Sequence, residues 1–338
     1  MRLKLPSNEQ LLFLANILAN KLFFKQRTQE NLKEILIIKL DEIGDMAVSS
    51  HIFQLLKNEF PEAKITLVCK SFVIPLIKND PNLDCVLEHS NFSFRKFDAI
   101  IEMRGTWQTL FKALLNIGCV RLSRAEVRLK NKGQQLHEIE TNYLIIKPIL
   151  SRQINIQPKL YFSKTDETIV EQFILKNDLQ NFAVFHVGAR RILRQWNLDR
   201  FAIVADYLAE KKTMKIVFIG TKSEEKDIQL VQHFMKNDSV SFSDGFSLAQ
   251  LSVLMSKANL FIGNESGPIH IASCFNVPIV GLYGPGVPVV FYPFSEKTKV
   301  FHYVLDCNPC NQIHCVRPES PCVSLIQVSE VLEYLERN

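Results

Sequence analysis

"KEILIIKLDEIGDMAV", residues 33–48, contains an apolar run, a polar loop and the start of a helix. The run 33–40 is almost continuously apolar, as expected of a strand buried on both faces of a parallel sheet. The loop "DEIGD" follows, and apolar residues then recur at helical spacing until Pro61. A buried strand that leads directly into a helix is the repeating unit of a doubly wound α/β domain.

The same alternation of strand and helix patterns continues along two stretches of the chain. The predicted strands are residues 33–40, 64–69, 83–88, 97–103, 182–188, 214–220, 259–263 and 278–284. Between the two groups, residues 151–163 lack a helical period and contain a proline, so we predict a linker there. The sequence therefore predicts two α/β domains in series. About two domains are also what a length of 338 residues leads one to expect.

The composition is that of an ordinary globular protein, with 47% hydrophobic and 22% charged residues. A net charge of +5 suits anionic substrates or an anionic membrane surface, but it lacks the concentrated basic patch of nucleic-acid binders. We therefore expect no nucleic-acid partner. Neither half has G-x-G-x-x-G after its first strand, which argues against an ordinary NAD enzyme.

The N-terminal segment "LLFLANILANKLFF", residues 11–24, is too short and too interrupted by polar residues to span a membrane. We predict a retained helix, for which two arrangements are open. The helix packs on the body of the protein, which is the commoner arrangement, or it lies at a membrane interface. In the second case Lys21, Lys25 and Arg27 would face anionic headgroups.

Ligands of doubly wound sheets bind at the carboxyl ends of the strands, and three loops lie there. In the first, Gly44 is expected to allow a tight turn, and Asp45 then begins a helix. Asp45 is either a helix N-cap or a general base facing the ligand. A helix N-terminus favours the ionised carboxylate, so we expect Asp45 to be deprotonated at neutral pH.

The second loop, residues 185–201, contains Arg190, Arg191 and Arg194 just before a helix. Guanidinium groups at this position suit phosphate oxygens, and the alternative is a solvated basic loop. Their place at the end of a buried strand favours phosphate binding.

The third loop, "GNESGPIHIAS" at residues 263–273, leads into a helix whose first N–H groups form an anion site. Pro268 is expected at the first helical position. Glu265 would repel a phosphate, so it fits better as an acceptor for hydroxyls or nearby basic groups. The candidate anion ligands are Ser266, Gly267 and His270.

Together these loops resemble those of the ADP-heptose:lipopolysaccharide heptosyltransferases, glycosyltransferase family 9. The resemblance rests on "KLDEIGDMAVSSHIFQLLKNEFPEAKITLV", on "HVGARRILRQW" followed by "FIGTKSEEKDI", and on "GNESGPIHIASCFNVPIVGLYGP". It implies a GT-B architecture, in which two Rossmann-like doubly wound domains face a cleft. The implied parts are an N-terminal helical extension (1–30), an acceptor domain (31–155), a nucleotide-sugar domain (156–322) and a C-terminal helix (323–338).

The resemblance also implies inverting sugar transfer without an obligatory metal or other cofactor. Asp45 would be the catalytic base, Arg194 would neutralise the leaving diphosphate and Glu224 would contact the ribose. The implied donor-binding residues are Arg190, Arg194, Glu224, Glu265, Ser266, Gly267 and His270, and the acceptor-binding residues are Gly44 and Arg104. Two residues depart from the family pattern, since Glu265 replaces an aspartate and Arg194 replaces a lysine.

The implied function is transfer of a sugar, by default heptose from ADP-heptose, to a lipopolysaccharide core or related cell-surface glycan. The expected partners are an ADP-sugar donor and a lipid-linked glycan acceptor. The expected location is cytoplasmic, with peripheral contact at the inner face of the inner membrane. The alternatives are a nucleotide-sugar epimerase or hydrolase on the same fold, and a non-catalytic metal- or nucleotide-binding protein.

A cysteine cluster near the C-terminus has the spacing C-x2-C-x4-C-x6-C. C-x2-C is half of a zinc site, but the whole pattern matches neither zinc ribbons nor iron–sulfur runs. We predict a structural cluster closed by a metal ion or by disulfides. Its members are Cys307, Cys310, Cys315 and Cys322.

Overall fold

The structure is a computed structural model that describes residues 8–24, 32–92, 96–117, 119–131, 134–152, 157–243, 245–310 and 312–338. The chain forms two compact units, which divide between Lys159 and Leu160. The division lies within the segment 151–163 that the sequence marks as a linker.

Unit 1 contains a five-stranded parallel sheet with the order β3-β2-β1-β4-β5. Its strands are β1 (Glu34–Ile38), β2 (Lys64–Cys69), β3 (Cys85–Glu88), β4 (Ala99–Glu102) and β5 (Val120–Ser123). In the central strand, Ile35 lies opposite Ile65 on one side and Ala99 on the other. The strand order reverses between β1 and β4, which makes the ends of these two strands the switch point of the sheet.

Seven helices surround this sheet within the described residues. They are α1 (Asn8–Phe23), α2 (Ile43–Ala47), α3 (His51–Glu59), α4 (Ile74–Ile77), α5 (Trp107–Leu114), α6 (Arg124–Lys130) and α7 (Glu138–Ile146). Helix α1 is part of the unit, since it packs against α5 and α6 and buries Ala19 in the core. Lys25 and Arg27, which were predicted with Lys21 to face lipid headgroups, lie outside the described residues.

Unit 2 contains a six-stranded parallel sheet with the order β11-β10-β9-β6-β7-β8. Its strands are β6 (Phe182–His186), β7 (Lys215–Gly220), β8 (Val240–Ser243), β9 (Leu260–Asn264), β10 (Ile279–Tyr283) and β11 (Thr298–His302). The order reverses between β6 and β9, so the second switch point lies at the ends of these strands.

The helices of unit 2 follow the predicted alternation. They are α8 (Lys164–Lys176), α9 (Leu198–Lys211), α10 (Glu225–Phe234), α11 (Leu248–Lys257), α12 (Gly267–Ser273), α13 (Pro288–Phe291) and α14 (Val328–Arg337). The last helix packs on α9 and buries Val331 and Leu335 in the core of unit 2. No helix in the described part of the chain has both the length and the apolar character required to cross a membrane.

All eight predicted strands are present, and three further strands, β5, β8 and β11, escaped prediction. Each of the three lies at an edge of its sheet. An edge strand has a neighbour on one side only, so it does not need the continuous apolar run of a central strand. In β11, for example, Lys299 is exposed and only Phe301 is buried.

Candidate active site

Asp45 lies in the first turn of α2, directly after the loop that follows β1. The N-cap of this helix is Glu42 rather than Asp45, so the capping interpretation of Asp45 is wrong. Gly44 lies inside the helix and does not form the predicted tight turn. Among the described glycines, the one with a left-handed backbone is Gly105, at φ 74°, immediately after Arg104 in the loop that follows β4. The two loops of the first switch point thus bring Asp45 and Arg104 to one edge of the sheet.

A buried network of charges surrounds Asp45. The Lys39 ammonium is fully buried, 3.1 Å from Asp41 Oδ2 and 3.8 Å from Glu138 Oε1. Arg104 pairs with Asp41, and Arg124 donates to Glu138 Oε2 at 2.7 Å. Of these residues, only Arg104 was predicted from the sequence. The one local signal was Lys39, a lysine at the end of a buried strand.

The pKa of Asp45 is raised, whereas a helix N-terminus by itself acts to lower it. Burial is the largest cause; Lys39 opposes it, while the carboxylates of Asp41 and Glu138 reinforce it. The desolvation of a charged group outweighs the effect of one short helix. A raised pKa makes the Asp45 carboxylate a stronger base.

At the second switch point, Asn264 connects the loops that follow β6 and β9. Its side chain is fully buried, donates to the Val187 carbonyl at 2.8 Å and accepts from the Trp196 N–H at 2.9 Å. The loop that contains Arg194 is therefore held against the end of β9. The role of Asn264 could not be predicted from the sequence, because an asparagine before a helix also suits an ordinary turn.

Arg194 and Glu265 form an ion pair at this switch point, with 3.3 Å between Nη1 and Oε1. Arg194 Nε also donates to Gln312 Oε1 at 2.7 Å. Burial raises the pKa of Glu265 to about 6, although Arg194 acts to lower it. The other oxygen, Oε2, is buried and has no hydrogen-bond donor among the described residues. A Cβ at Gly286 would lie 1.8 Å from that oxygen, so only glycine leaves room for it.

His186 links Ser266 to Glu224, because its two ring nitrogens contact one side chain each. His186 was not predicted from the sequence. Ser266 Oγ lies 3.0 Å from His186 Nδ1, and His186 Nε2 lies 3.4 Å from Glu224 Oε1. Burial acts to raise the pKa of Glu224, but hydrogen bonds with His186 and Thr221 lower it to about 2. Ser266 is the N-cap residue of α12, yet its hydroxyl makes no capping bond. The hydroxyl of Ser266 bonds His186 and the Asn264 carbonyl instead of capping the helix.

The remaining residues predicted to bind the donor differ in their exposure to solvent and in their position in the helix. Arg190 and Arg191 are exposed. Pro268 is the second residue of α12 rather than the first, because the helix begins at Gly267. His270 is buried, and its ring lies 6.0 Å from the ring of Phe291.

The four cysteines near the C-terminus border one small cavity together with His314. All four are free thiols, so the disulfide alternative is not seen. Backbone N–H groups of Gln312 and Arg317 donate to the sulfurs of Cys310 and Cys315, at 3.3 and 3.4 Å. These bonds suit thiolate ligands. Within the described ranges, however, no three histidine, cysteine or carboxylate side chains are arranged to hold a metal ion.

Comparison with known proteins identifies the family. Residues 94–320 match the family model for glycosyltransferase family 9 (heptosyltransferase). The chain is 21% identical over 306 residues to lipooligosaccharide heptosyltransferase 2 of Campylobacter jejuni, covering 86% of this chain and 93% of the relative. It is 23% identical over 292 residues to lipopolysaccharide heptosyltransferase 3 of Escherichia coli, covering 76% and 84%.

Solved structures show the same fold. A family 9 glycosyltransferase of Veillonella parvula superposes with a TM-score of 0.77 at 20% identity, covering 92% of this chain and 98% of that one. The ADP-heptose lipopolysaccharide heptosyltransferase II of Escherichia coli gives 0.71 at 20% identity, covering 90% and 98%. The predicted GT-B fold, with two Rossmann-like domains, and the predicted enzyme class are confirmed. The chain belongs to glycosyltransferase family 9, the heptosyltransferase family.

Proposed function

We propose that the protein transfers heptose from ADP-heptose, with inversion, to a lipid-linked core glycan at the inner face of the inner membrane. The observation that carries the proposal is Glu265 Oε2, a buried oxygen that no described residue bonds, beside Arg194 at the unit 2 switch point. Such an oxygen suits a ligand hydroxyl, and the neighbouring guanidinium has further N–H groups that suit a phosphate. A nucleotide sugar supplies both groups. The named relatives, heptosyltransferases, support heptose as that sugar.

In unit 2, we assign the leaving diphosphate to Arg194 and to the open start of α12. Positive charge and N–H groups at that point stabilise the negative charge that develops as ADP departs. The Ser266 hydroxyl, placed by His186, is a further group beside the diphosphate. Glu224 stays ionised because its pKa is low, so its carboxylate can accept from a ribose hydroxyl.

In unit 1, we assign the proton transfer to Asp45. The acceptor hydroxyl gives its proton to the carboxylate while its oxygen attacks the anomeric carbon. The bond between that carbon and the diphosphate oxygen breaks, and ADP leaves on the opposite face of the sugar. Arg104 and Gly44 remain the proposed acceptor contacts, and Arg104 is held by Asp41.

The test compares Asp45→Asn with Asp80→Asn. Asp80 is a buried aspartate of unit 1 whose pKa, like that of Asp45, is raised, but it bonds Asn82 away from the switch point. We expect Asp45→Asn to reduce transfer about 100-fold or more while ADP binding by calorimetry is retained. Asp80→Asn should transfer at the wild-type rate. Wild-type transfer by Asp45→Asn would disprove the base assignment.

Two measurements test the donor and the reaction type. In a thermal-shift panel, ADP-sugars should stabilise the protein by about 2.7 kcal/mol at a hundred times their Kd. Shifts with UDP- or GDP-sugars only would contradict the ADP-heptose assignment. ADP release should require the glycan acceptor, and release at the same rate without it would favour a hydrolase.

We also propose that the cysteine cluster is structural and sets the position of Gln312, the residue that bonds Arg194. The metal-bound form of the cluster stays a prediction, which the metal content of the purified protein tests. The proposed reaction uses no group from this cluster.

A further inference from the structure

Helix α1 is apolar on two faces. Leu12, Ala15 and Ala19 pack toward the core of unit 1. On the outer face, a stripe of four leucines is exposed, although their spacing of three or four residues is that of a packed face. These residues are Leu11, Leu14, Leu18 and Leu22, with exposed fractions of 45, 51, 56 and 70%. A helix that is apolar all round is expected in a core or against a membrane.

Polar contacts hold α1 to the rest of unit 1, so the leucine stripe cannot rotate inward. The fully buried guanidinium of Arg121 bonds Asn16 and Asn20 of α1 and pairs with Glu102 of β4. At the other end of the helix, Asn8 Oδ1 accepts from Trp107 Nε1 at 3.1 Å. The outer stripe therefore stands on a rigid support.

The helix α5, which packs against α1, also exposes apolar residues. Phe111, Leu115 and Ile117, in and just after α5, are 62, 50 and 63% exposed. Exposed apolar residues that are scattered singly need no explanation, but a group on adjacent helices marks an interaction surface. We call the stripe on α1 together with these three residues the apolar platform.

The charged residues of the helices that form and border the apolar platform are mostly basic. In α1, α5 and α6 there are two acidic residues, Glu9 and Glu126, and five basic ones. Exposed basic residues lie on α1 and at the end of α6, which packs against α1. These residues are Lys21, Arg128 and Lys130. A symmetric dimer through this face would place like charges together, whereas an anionic lipid surface complements them.

We propose that the apolar platform docks on an anionic bilayer. Its leucines would lie at the boundary between headgroups and acyl chains, and the three basic residues would lie at lipid phosphates. The inference deepens the proposed function and rests on its lipid-linked acceptor. Helix α5 begins at Trp107, three residues after Arg104 of the acceptor switch point. Docking here would bring the acceptor edge of the unit 1 sheet toward the membrane that contains the acceptor lipid.

The test is co-sedimentation of the full chain with vesicles of phosphatidylcholine alone and of phosphatidylcholine with phosphatidylglycerol. We expect binding to the anionic vesicles, weakened by salt. Leu14→Glu/Leu18→Glu should lower the partition coefficient roughly tenfold or more. Lys21→Ala and Lys130→Ala should each lower it about fivefold, on anionic vesicles only. Leu175→Glu is the matched control, because Leu175 is a 79% exposed leucine on α8 of unit 2.

The outcomes separate this inference from the proposed reaction. Leu14→Glu/Leu18→Glu should transfer sugar to a delipidated glycan at the wild-type rate, whereas Asp45→Asn should not. Absence of vesicle binding by the wild-type chain would overturn the docking proposal and leave the reaction assignment intact. A wild-type dimer that the double leucine variant dissociates would instead identify the platform as a self-interface, and would also overturn it.

Discussion

Glu265→Gln should make the stability of unit 2 less dependent on pH. Burial holds the pKa of Glu265 at about 6 in the folded protein, against an ordinary 4.5. The difference of about 1.5 pH units corresponds to about 2 kcal/mol. Because the folded pKa is the higher one, this stabilisation is fully present below the unfolded pKa and is lost as pH rises through the folded pKa. The glutamine variant has no such loss.

The assay is urea unfolding followed by tryptophan fluorescence. In a Trp107→Phe background, Trp196 is the only remaining tryptophan, and its side chain is buried in the core of unit 2. The free energy of unfolding is measured between about pH 4 and pH 8 for the wild-type residue and for the variant. The variant minus wild-type difference should increase by about 2 kcal/mol across this range. Any constant effect of the lost Arg194 ion pair cancels in this comparison.

Glu224→Gln provides a control of opposite sign. The pKa of Glu224 is lowered to about 2, so its stabilisation is present above the unfolded pKa and is lost as pH falls through the folded pKa. For Glu224→Gln, the variant minus wild-type difference in the free energy of unfolding should therefore change only at acid pH. A Glu265→Gln difference that is constant from pH 4 to pH 8 would refute the reasoning. We also expect Glu265→Gln to weaken donor binding, because it replaces the carboxylate that we assign to a ligand hydroxyl.

Three further changes have defined outcomes. Gly286→Ala places a Cβ 1.8 Å from Glu265 Oε2 and should raise the KM for the donor about tenfold in steady-state kinetics, as a displaced binding group predicts. Gln312→Ala removes the hydrogen-bond acceptor of Arg194 Nε and should raise the same KM about fivefold, the effect of one charged hydrogen bond of about 1 kcal/mol. Arg121→Met leaves Glu102 buried without its ion pair and should destabilise unit 1 by about 3–5 kcal/mol, read from Trp107 fluorescence.

Matched controls accompany each of these variants. A Cβ at Gly245 would lie 2.1 Å from the Phe242 ring, so Gly245→Ala should lower stability without raising the donor KM. Gln195 bonds Asp227 rather than Arg194, so Gln195→Ala should leave the KM unchanged. Adding Glu102→Gln to Arg121→Met should recover part of the lost stability. Equal KM changes in the Gln195 and Gln312 variants would contradict the assigned role of Gln312.

Much of the fold could be predicted because the central strands are buried on both faces. Residues 35–38 of β1 are fully buried, and such strands appear in the sequence as continuous apolar runs. The edge strand β5 was missed because its sequence, "VRLS", has no such run. Its arginine is buried only because α1 and β4 supply partners for the guanidinium, and those partners are distant in the chain.

The candidate site was predicted in part. The loops after β1, β6 and β9 are recognisable because each follows a buried strand, and Asp45, Arg194 and Glu265 lie in or beside them. Ser266 and Glu224 were predicted separately as donor-binding residues, but His186, which links them, was not recognisable. The three residues come from three separate strand ends, and a lone histidine in an apolar run suits an ordinary core position.

The sequence by itself determined two parallel α/β units and the loops at which a ligand binds. A strand that is buried on both faces has a continuous run of apolar residues, and such a run is visible in the local sequence. Only the tertiary structure decided how these residues behave. The sign of the pKa shift of Asp45 depends on desolvation and on Lys39 and Glu138, which β1 and α7 bring together from positions about a hundred residues apart. Electrostatic energies depend on distance and solvent exposure in space, and neither is a property of neighbours in the chain.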